Sequence, residues 1–163
     1  MDFPAYDAYL SDSRWNEAAI ATLSLAKKFK KPGILDAEAP VSQQAVDLAS
    51  HVAFSKQGLS HFTNKDDVTA SLKVIENDFN SWACVTDGSN GVYFLEEGTL
   101  CNLPAPEIKA KDTLGAGDVW HGAFAVCLAE GKSEIEAIKF SNLAAAIKCT
   151  KFGGQSSIPT RTE

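Results

Sequence analysis

The sequence has no uninterrupted apolar run near the length of about 20 residues that a membrane helix needs, so a bilayer-spanning helix is not expected. A basic excess is also missing. Lys and Arg number 15 against 21 Asp and Glu, for a net charge of −6, whereas a nucleic-acid partner calls for a basic face. Cysteine is sparse: Cys84, Cys101, Cys127 and Cys149 form no C-x-x-C and stand among apolar neighbours. They read as buried free thiols in a reducing, cytoplasmic compartment, not as metal ligands or a disulfide frame. His51, His61 and His121 lack metal-ligand spacing. No secretory leader, internal repeat, low-complexity tract or interdomain linker is read. With 45% hydrophobic residues in 163, the chain is expected to be a single domain, residues 1–163, with a substantial core.

What is present is alternation of strand and helix patterns. Residues 1–12, with Pro4, show no clear period. Trp15, Ala18, Ala19, Ile20, Leu23, Leu25 and Ala26 form a helical stripe, with Ser13 as its cap and the basic run 27–31 at its end. Gly33–Asp36 reads as a buried strand with Asp36 at its carboxyl end, where open α/β sheets hold ligands. A helix is expected over 42–50, a strand over 51–55, a helix over 64–77 opened by Asn64-x-x-Asp67, and a strand over 82–86. Residues 91–95 and 99–103 flank Glu-Glu-Gly as a hairpin, and two helices follow over 116–130 and 133–151. This order implies a mostly parallel sheet covered on both faces, with a hairpin near one edge.

Asp112-Thr-Leu-Gly-Ala-Gly-Asp118 opens the first of those two helices. Small residues at a helix start leave N–H groups free, and the positive end of the helix dipole adds to them, which suits a phosphate oxygen. Gly115 and Gly117 allow close approach and Ala116 adds little bulk. Asp118 does not help to hold an anion. Its carboxylate suits acceptance of a proton from a hydroxyl that attacks phosphorus. A second turn, Thr86-Asp-Gly-Ser-Asn-Gly91, follows a strand, and the pair of loops makes a nucleotide crevice plausible. His121 follows Asp118 on the same helix face and is a candidate for substrate contact. Asn142, on a mostly apolar helix, needs a polar partner that either a ligand or the backbone could supply. In the tail after the last helix, Gly153 and Gly154 read as helix stops, and the carbonyls there could bind a hard cation.

Asp112-Thr-Leu-Gly-Ala-Gly-Asp118-x-x-x-Gly-Ala123 resembles the motif of the PfkB-type, ribokinase-like carbohydrate kinases. That resemblance implies a three-layer α-β-α core, Rossmann-like, with a mostly parallel sheet, an edge hairpin and no lid domain in this chain. It implies Asp118 as catalytic base and Gly115, Ala116 and Gly117 as anion hole. Thr86, Asp87, Gly88, Ser89, Asn90 and Gly91 would form the ATP turn, with Asn142 near the adenine and Ser55 facing the nucleotide. The Asp112 side chain, the Leu114, Lys148, Lys151 and Gly153 carbonyls and Ser157 would surround potassium. The family's Asn-x-x-Glu motif, linked to magnesium and phosphate, is replaced by Ser55-Lys-Gln-Gly58. The family also runs to about twice this length, and its first half carries the sugar site and lid.

The chain is therefore expected to be the ATP-binding half of a kinase acting on a small-molecule sugar with ATP, Mg2+ and K+. By itself it is expected to be inactive or impaired, and to form a homodimer or pair with the absent half. The alternatives are a non-catalytic nucleotide- or anion-binding remnant, or a vitamin or nucleoside kinase of the same superfamily.

Overall fold

The computed structural model describes residues 6–163, so Pro4 lies outside the described residues. Six strands form one sheet in sequential order: β1 (Tyr9–Asp12), β2 (Gly33–Ala37), β3 (His51–Ser55), β4 (Trp82–Thr86), β5 (Val92–Glu96) and β6 (Thr99–Leu103). β1 to β4 run parallel, and β5 and β6 close the edge as the antiparallel hairpin. The parallel strands are joined by α1 (Asn16–Phe29), α2 (Gln43–Leu48), and the pair α3 (Lys56–Thr63) and α4 (Val68–Asp78). Right-handed crossovers stepping in one direction put all four helices on one face. The remaining two, α5 (Ala116–Ala129) and α6 (Glu134–Cys149), cover the other.

Strand alternation splits the core accordingly. Leu35, Val52, Phe54 and Val85 pack against Leu23, Val46, Leu59 and Ile75 of α1 to α4. Their neighbours Ile34, Ala53, Cys84 and Phe94 point the other way, against Phe124 and Leu128 of α5 and Ile138 of α6. Both faces are covered, as the alternation of elements implies. Asp36 shares a face with Ile34, so the same period that buries Ile34 aims a carboxylate at α5.

Several local features go beyond or depart from the sequence reading. Residues 9–12 form a strand, because parallel pairing with β2 supplies the hydrogen bonds that a short, weakly patterned segment cannot secure alone. Ser13 does not cap α1: its hydroxyl exchanges hydrogen bonds with the Glu38 backbone, and Trp15 stands at the cap position without a side-chain bond. Residues 56–63 are a helix, and Asn64 is its left-handed end (φ 53°). Asp67, not Asn64, caps the next helix by accepting from the Ala70 N–H at 2.7 Å. Of the cysteines, Cys101 is only half-buried, while Cys84, Cys127 and Cys149 are buried, and all four are free.

His51 lies at the start of β3, between Trp82 and Phe124, with Nδ1 2.8 Å from Ser50 Oγ and Nε2 3.4 Å from Glu134 Oε1. Burial pushes its pKa down, opposed in part by Glu134. The unfolded chain therefore takes up this proton first as pH falls below about 6.5, and the fold loses stability until the folded group titrates in turn. Urea midpoints at pH 7 and pH 5 should fall further for the wild type than for His51→Gln.

Candidate functional site

The Asp112–Asp118 loop is held from within. The Asp112 carboxylate accepts from the Leu114 N–H at 3.0 Å and from the Gly153 N–H at 3.1 Å, and these bonds hold its carboxyl below the usual range. Gly115, at φ 75°, turns the chain into α5, which has no side-chain cap. The Ala116 N–H donates to Thr113 O at 3.1 Å and is thus unavailable to an anion. Among the described residues the N–H groups of Gly115, Gly117 and Asp118 have no protein acceptor. The set of free N–H groups therefore differs by one residue from Gly115–Gly117: a turn bond that small-residue spacing does not reveal takes Ala116 out of it. A Cβ placed on Gly117 would meet no atom within 4 Å, so the space beside that residue is open.

Asp118 is exposed on the first turn of α5. Its Oδ2 would lie 3.6 Å from a Cβ on Gly115, which turns the carboxylate back over the loop. Behind it, His121 is buried. Its Nδ1–H donates to Gly117 O at 2.8 Å and lies 3.4 Å from Asp36 Oδ2. Burial raises the Asp36 pKa, the His121 contact works against that, and Glu38, Asp118 and Asp12 raise it further. Asp36 therefore feels the negative charge of Asp12 and Glu38, beside it at the carboxyl ends of β1 and β2, and of Asp118 on α5. His121 supports the Gly117 carbonyl, with Asp36 at its side; the two residues are too far apart in sequence for spacing to suggest the pair.

One face of the loop borders a cleft of about 690 Å³. Thr86, Gly88, Ser89 and Gly91 form one wall, and Ala116, Gly117, Trp120 and Asn142 the other. The Asn142 Oδ1 accepts from Trp120 Nε1–H at 2.8 Å, and its Nδ2 donates to Leu103 O and Pro104 O. Its amide is therefore satisfied by the chain while its stem borders the cleft. Asp87 and Asn90 stand outside this lining. Asp87 accepts from Lys56 Nζ at 2.8 Å and Asn90 Nδ2 at 2.9 Å; burial pushes its pKa up, but these bonds prevail and hold it low. Ser55, expected to face the nucleotide, caps α3 instead by accepting from the Gly58 N–H at 3.0 Å. Lys56, which pins the turn, had no signal in the sequence.

Gly91 is required by the backbone. It adopts φ 86°, and an added Cβ would sit 2.1 Å from Leu103 O. Gly91→Ala should destabilise the fold by at least about 1–3 kcal/mol from strain alone. Gly88→Ala, with φ 52° and no neighbour within 4 Å, should cost less. Paired urea melts give both values.

Residues 2–161 match the pfkB family carbohydrate kinases. The chain belongs to that family. It is 31% identical over 124 residues to the ribokinase of Bacillus subtilis, covering 76% of this chain and 41% of the relative. The Haemophilus influenzae ribokinase is 46% identical over 79 residues, 48% of this chain and 26% of the relative. Among solved structures, the ribokinase of Thermotoga maritima superposes with a TM-score of 0.80 at 30% identity, covering 96% of this chain and 54% of that one. The Arabidopsis thaliana ribokinase complexed with ribose and ATP gives a TM-score of 0.85 at 25% identity, covering 96% and 54% of that chain. The three-layer fold with its mostly parallel sheet is thus the ribokinase-like fold. This pfkB-family chain spans about two-fifths to half the length of the relatives it matches over most of its own length.

The segment after α6 is tied to this loop and to itself by hydrogen bonds. Gly153 bonds to Asp112, the Ser157 hydroxyl donates to the Gly153 and Gly154 carbonyls, and the Lys151 N–H donates to Lys148 O at 3.3 Å. Leu114, Gly115, Asp118 and Lys148 border a second cavity, of about 720 Å³, between α5, α6 and the C-terminal segment. Among the described residues no three His, Cys, Asp or Glu side chains converge as a metal site, and none of the helices is long and apolar enough to cross a membrane.

Proposed function

We propose that the chain carries the nucleotide-binding and catalytic residues of an ATP-dependent sugar kinase and corresponds to the ATP-binding half of such an enzyme. The observation that carries this reading is the free N–H set of Gly115, Gly117 and Asp118 beside the exposed Asp118 carboxylate, next to a cleft of nucleotide size. ATP lies along the cleft between the 86–91 turn and α6. Its γ-phosphoryl oxygens rest on the helix N-terminus, where donors and dipole act together. The Asp118 carboxylate accepts the proton of a sugar hydroxyl as that oxygen attacks the γ-phosphorus, and ADP leaves. The free N–H groups oppose the charge that grows on the transferred group; losing one such donor typically costs about 10²–10³ in rate.

Magnesium brought in with a nucleotide would find few protein ligands here, since the Asn-x-x-Glu motif is missing and the Ser55 hydroxyl is committed to a helix cap, so phosphate oxygens and water would hold it. Potassium fits less well. The Asp112 carboxylate that it would use already has the buried Lys148 ammonium 3.7 Å from Oδ2. A second positive charge about 4 Å from that ammonium would cost about 4 kcal/mol at an effective dielectric near 20.

Calorimetry with MgADP tests the nucleotide site: the chain should bind it, and Gly117→Val, which fills the open space beside that residue, should not. A sugar panel assayed with the chain joined to a ribokinase-type first half tests transfer. Binding without transfer to any sugar would favour the non-catalytic reading. Self-association through exposed apolar side chains such as Leu143, Val126 and Ile158 is expected for the isolated chain. Light scattering that finds only monomer would refute it.

A further inference from the structure

Lys148 is 1% exposed, on the last turn of α6. A lysine buried to that degree is unusual unless its ammonium is paired. Among the described residues its partners belong to a single one, Asp112. Nζ donates to the Asp112 backbone carbonyl at 3.1 Å and lies 3.7 Å from Asp112 Oδ2. The groups around it are also engaged: Asp112 Oδ2 accepts from Gly153, the Gly153 carbonyl from Ser157, and the Lys148 carbonyl from Lys151. Of the oxygens that a monovalent cation would need here, the charged one is already neutralised and two carbonyls have donors. These residues therefore do not fit a potassium ion as they stand.

We propose that the Lys148 ammonium is a built-in replacement for a monovalent cation, so that the Asp112–Asp118 loop keeps its shape without potassium. The reasoning is chemical. An ammonium carries the same single charge as the ion, and its three N–H bonds can serve oxygen acceptors. Tethered to α6, it needs no binding from solution. It ties Asp112 to the helix, while Asp112 Oδ1 fixes the Leu114 N–H and with it the turn that presents the free donors. The proposal deepens the kinase reading and rests on it for what the loop does, but not for whether an ion binds.

The test uses the chain and its Lys148→Met variant, in potassium chloride and in tetramethylammonium chloride at equal ionic strength. The readouts are the thermal midpoint and equilibrium dialysis of thallium(I), a potassium analogue. The wild type should show the same midpoint in both salts and bind no stoichiometric thallium. Lys148→Met should melt lower in tetramethylammonium chloride, recover with potassium in a saturable manner, and bind one thallium per chain. A wild type that binds one thallium, or that gains a saturable potassium-specific shift, overturns the proposal. So does a folded Lys148→Met that gains neither property. If Lys148→Met does not fold in either salt, Lys148→Gln takes its place, and the wild-type thallium result decides by itself. MgADP titration of the wild type in both salts separates the two ideas. Equal binding is expected, and failure to bind in either salt would count against the nucleotide site while leaving the thallium result to judge the ammonium.

Discussion

Asp118→Ala should lower phosphoryl transfer by about 10²–10⁴, the range for a positioned general base, while MgATP affinity changes little in an intact kinase containing this chain. The separation follows from where the residue stands. Asp118 is exposed, while the groups that border the proposed nucleotide cleft, among them Thr86, Gly88, Gly117 and Asn142, do not include it. Removing its side chain leaves the donors of Gly115 and Gly117, and the Asp118 N–H itself, in place. A carboxylate that merely shaped the loop would behave otherwise, because its loss would weaken transfer and nucleotide binding together. Single-turnover rates and MgATP titration distinguish the two patterns, and equal loss of both would remove Asp118 from the role of base. Asp118→Asn refines the result: the amide keeps the volume but cannot take the proton, so it should be as slow as alanine.

The sequence carried the elements with strong internal period and left out those that depend on distant partners. β3 and β4 are legible because His51–Ser55 and Trp82–Thr86 are apolar runs bounded by turns, and the structure gives them the same bounds. β1 is not, since four residues with a polar end become a strand only through pairing with β2. In the site, the Asp112–Asp118 loop was visible because its small residues and its place before a helix are local facts. The use of the Ala116 N–H by Thr113 was not, since it depends on how the turn closes. The same limit hid the His121–Asp36 contact, the Lys56–Asp87 pair and the Lys148–Asp112 pair, each of which joins separate elements. Lys148 is the sharpest case. The family resemblance implied a contribution from its carbonyl, and the structure adds a buried side chain paired with Asp112, the residue the ion would also use.

Phe124→Ala should be the most destabilising truncation on α5, at about 3–5 kcal/mol. Phe124 is fully buried and lies between two indoles, with ring centroids 5.0 Å from Trp120 and 5.9 Å from Trp82, both close to parallel. Cutting it back opens a cavity where α5 meets the sheet and frees Trp120, whose Nε1–H holds Asn142 across to α6. For a domain of this size, that cost lowers the thermal midpoint by roughly 6–20 °C. Val126→Ala, on the same helix but exposed, should stay within about 0.5 kcal/mol at concentrations where the chain is monomeric. The helix that loses its anchor also carries the free N–H groups, so on the proposed reading nucleotide binding depends on α5 staying docked. MgADP at 100 times its dissociation constant should therefore return about 2.7 kcal/mol to the wild type, and less to Phe124→Ala if the variant binds more weakly. A variant that recovers the full amount would mean that the first turn of α5 is held by its loop, through Asp112 and Gly153, independently of the aromatic stack behind it.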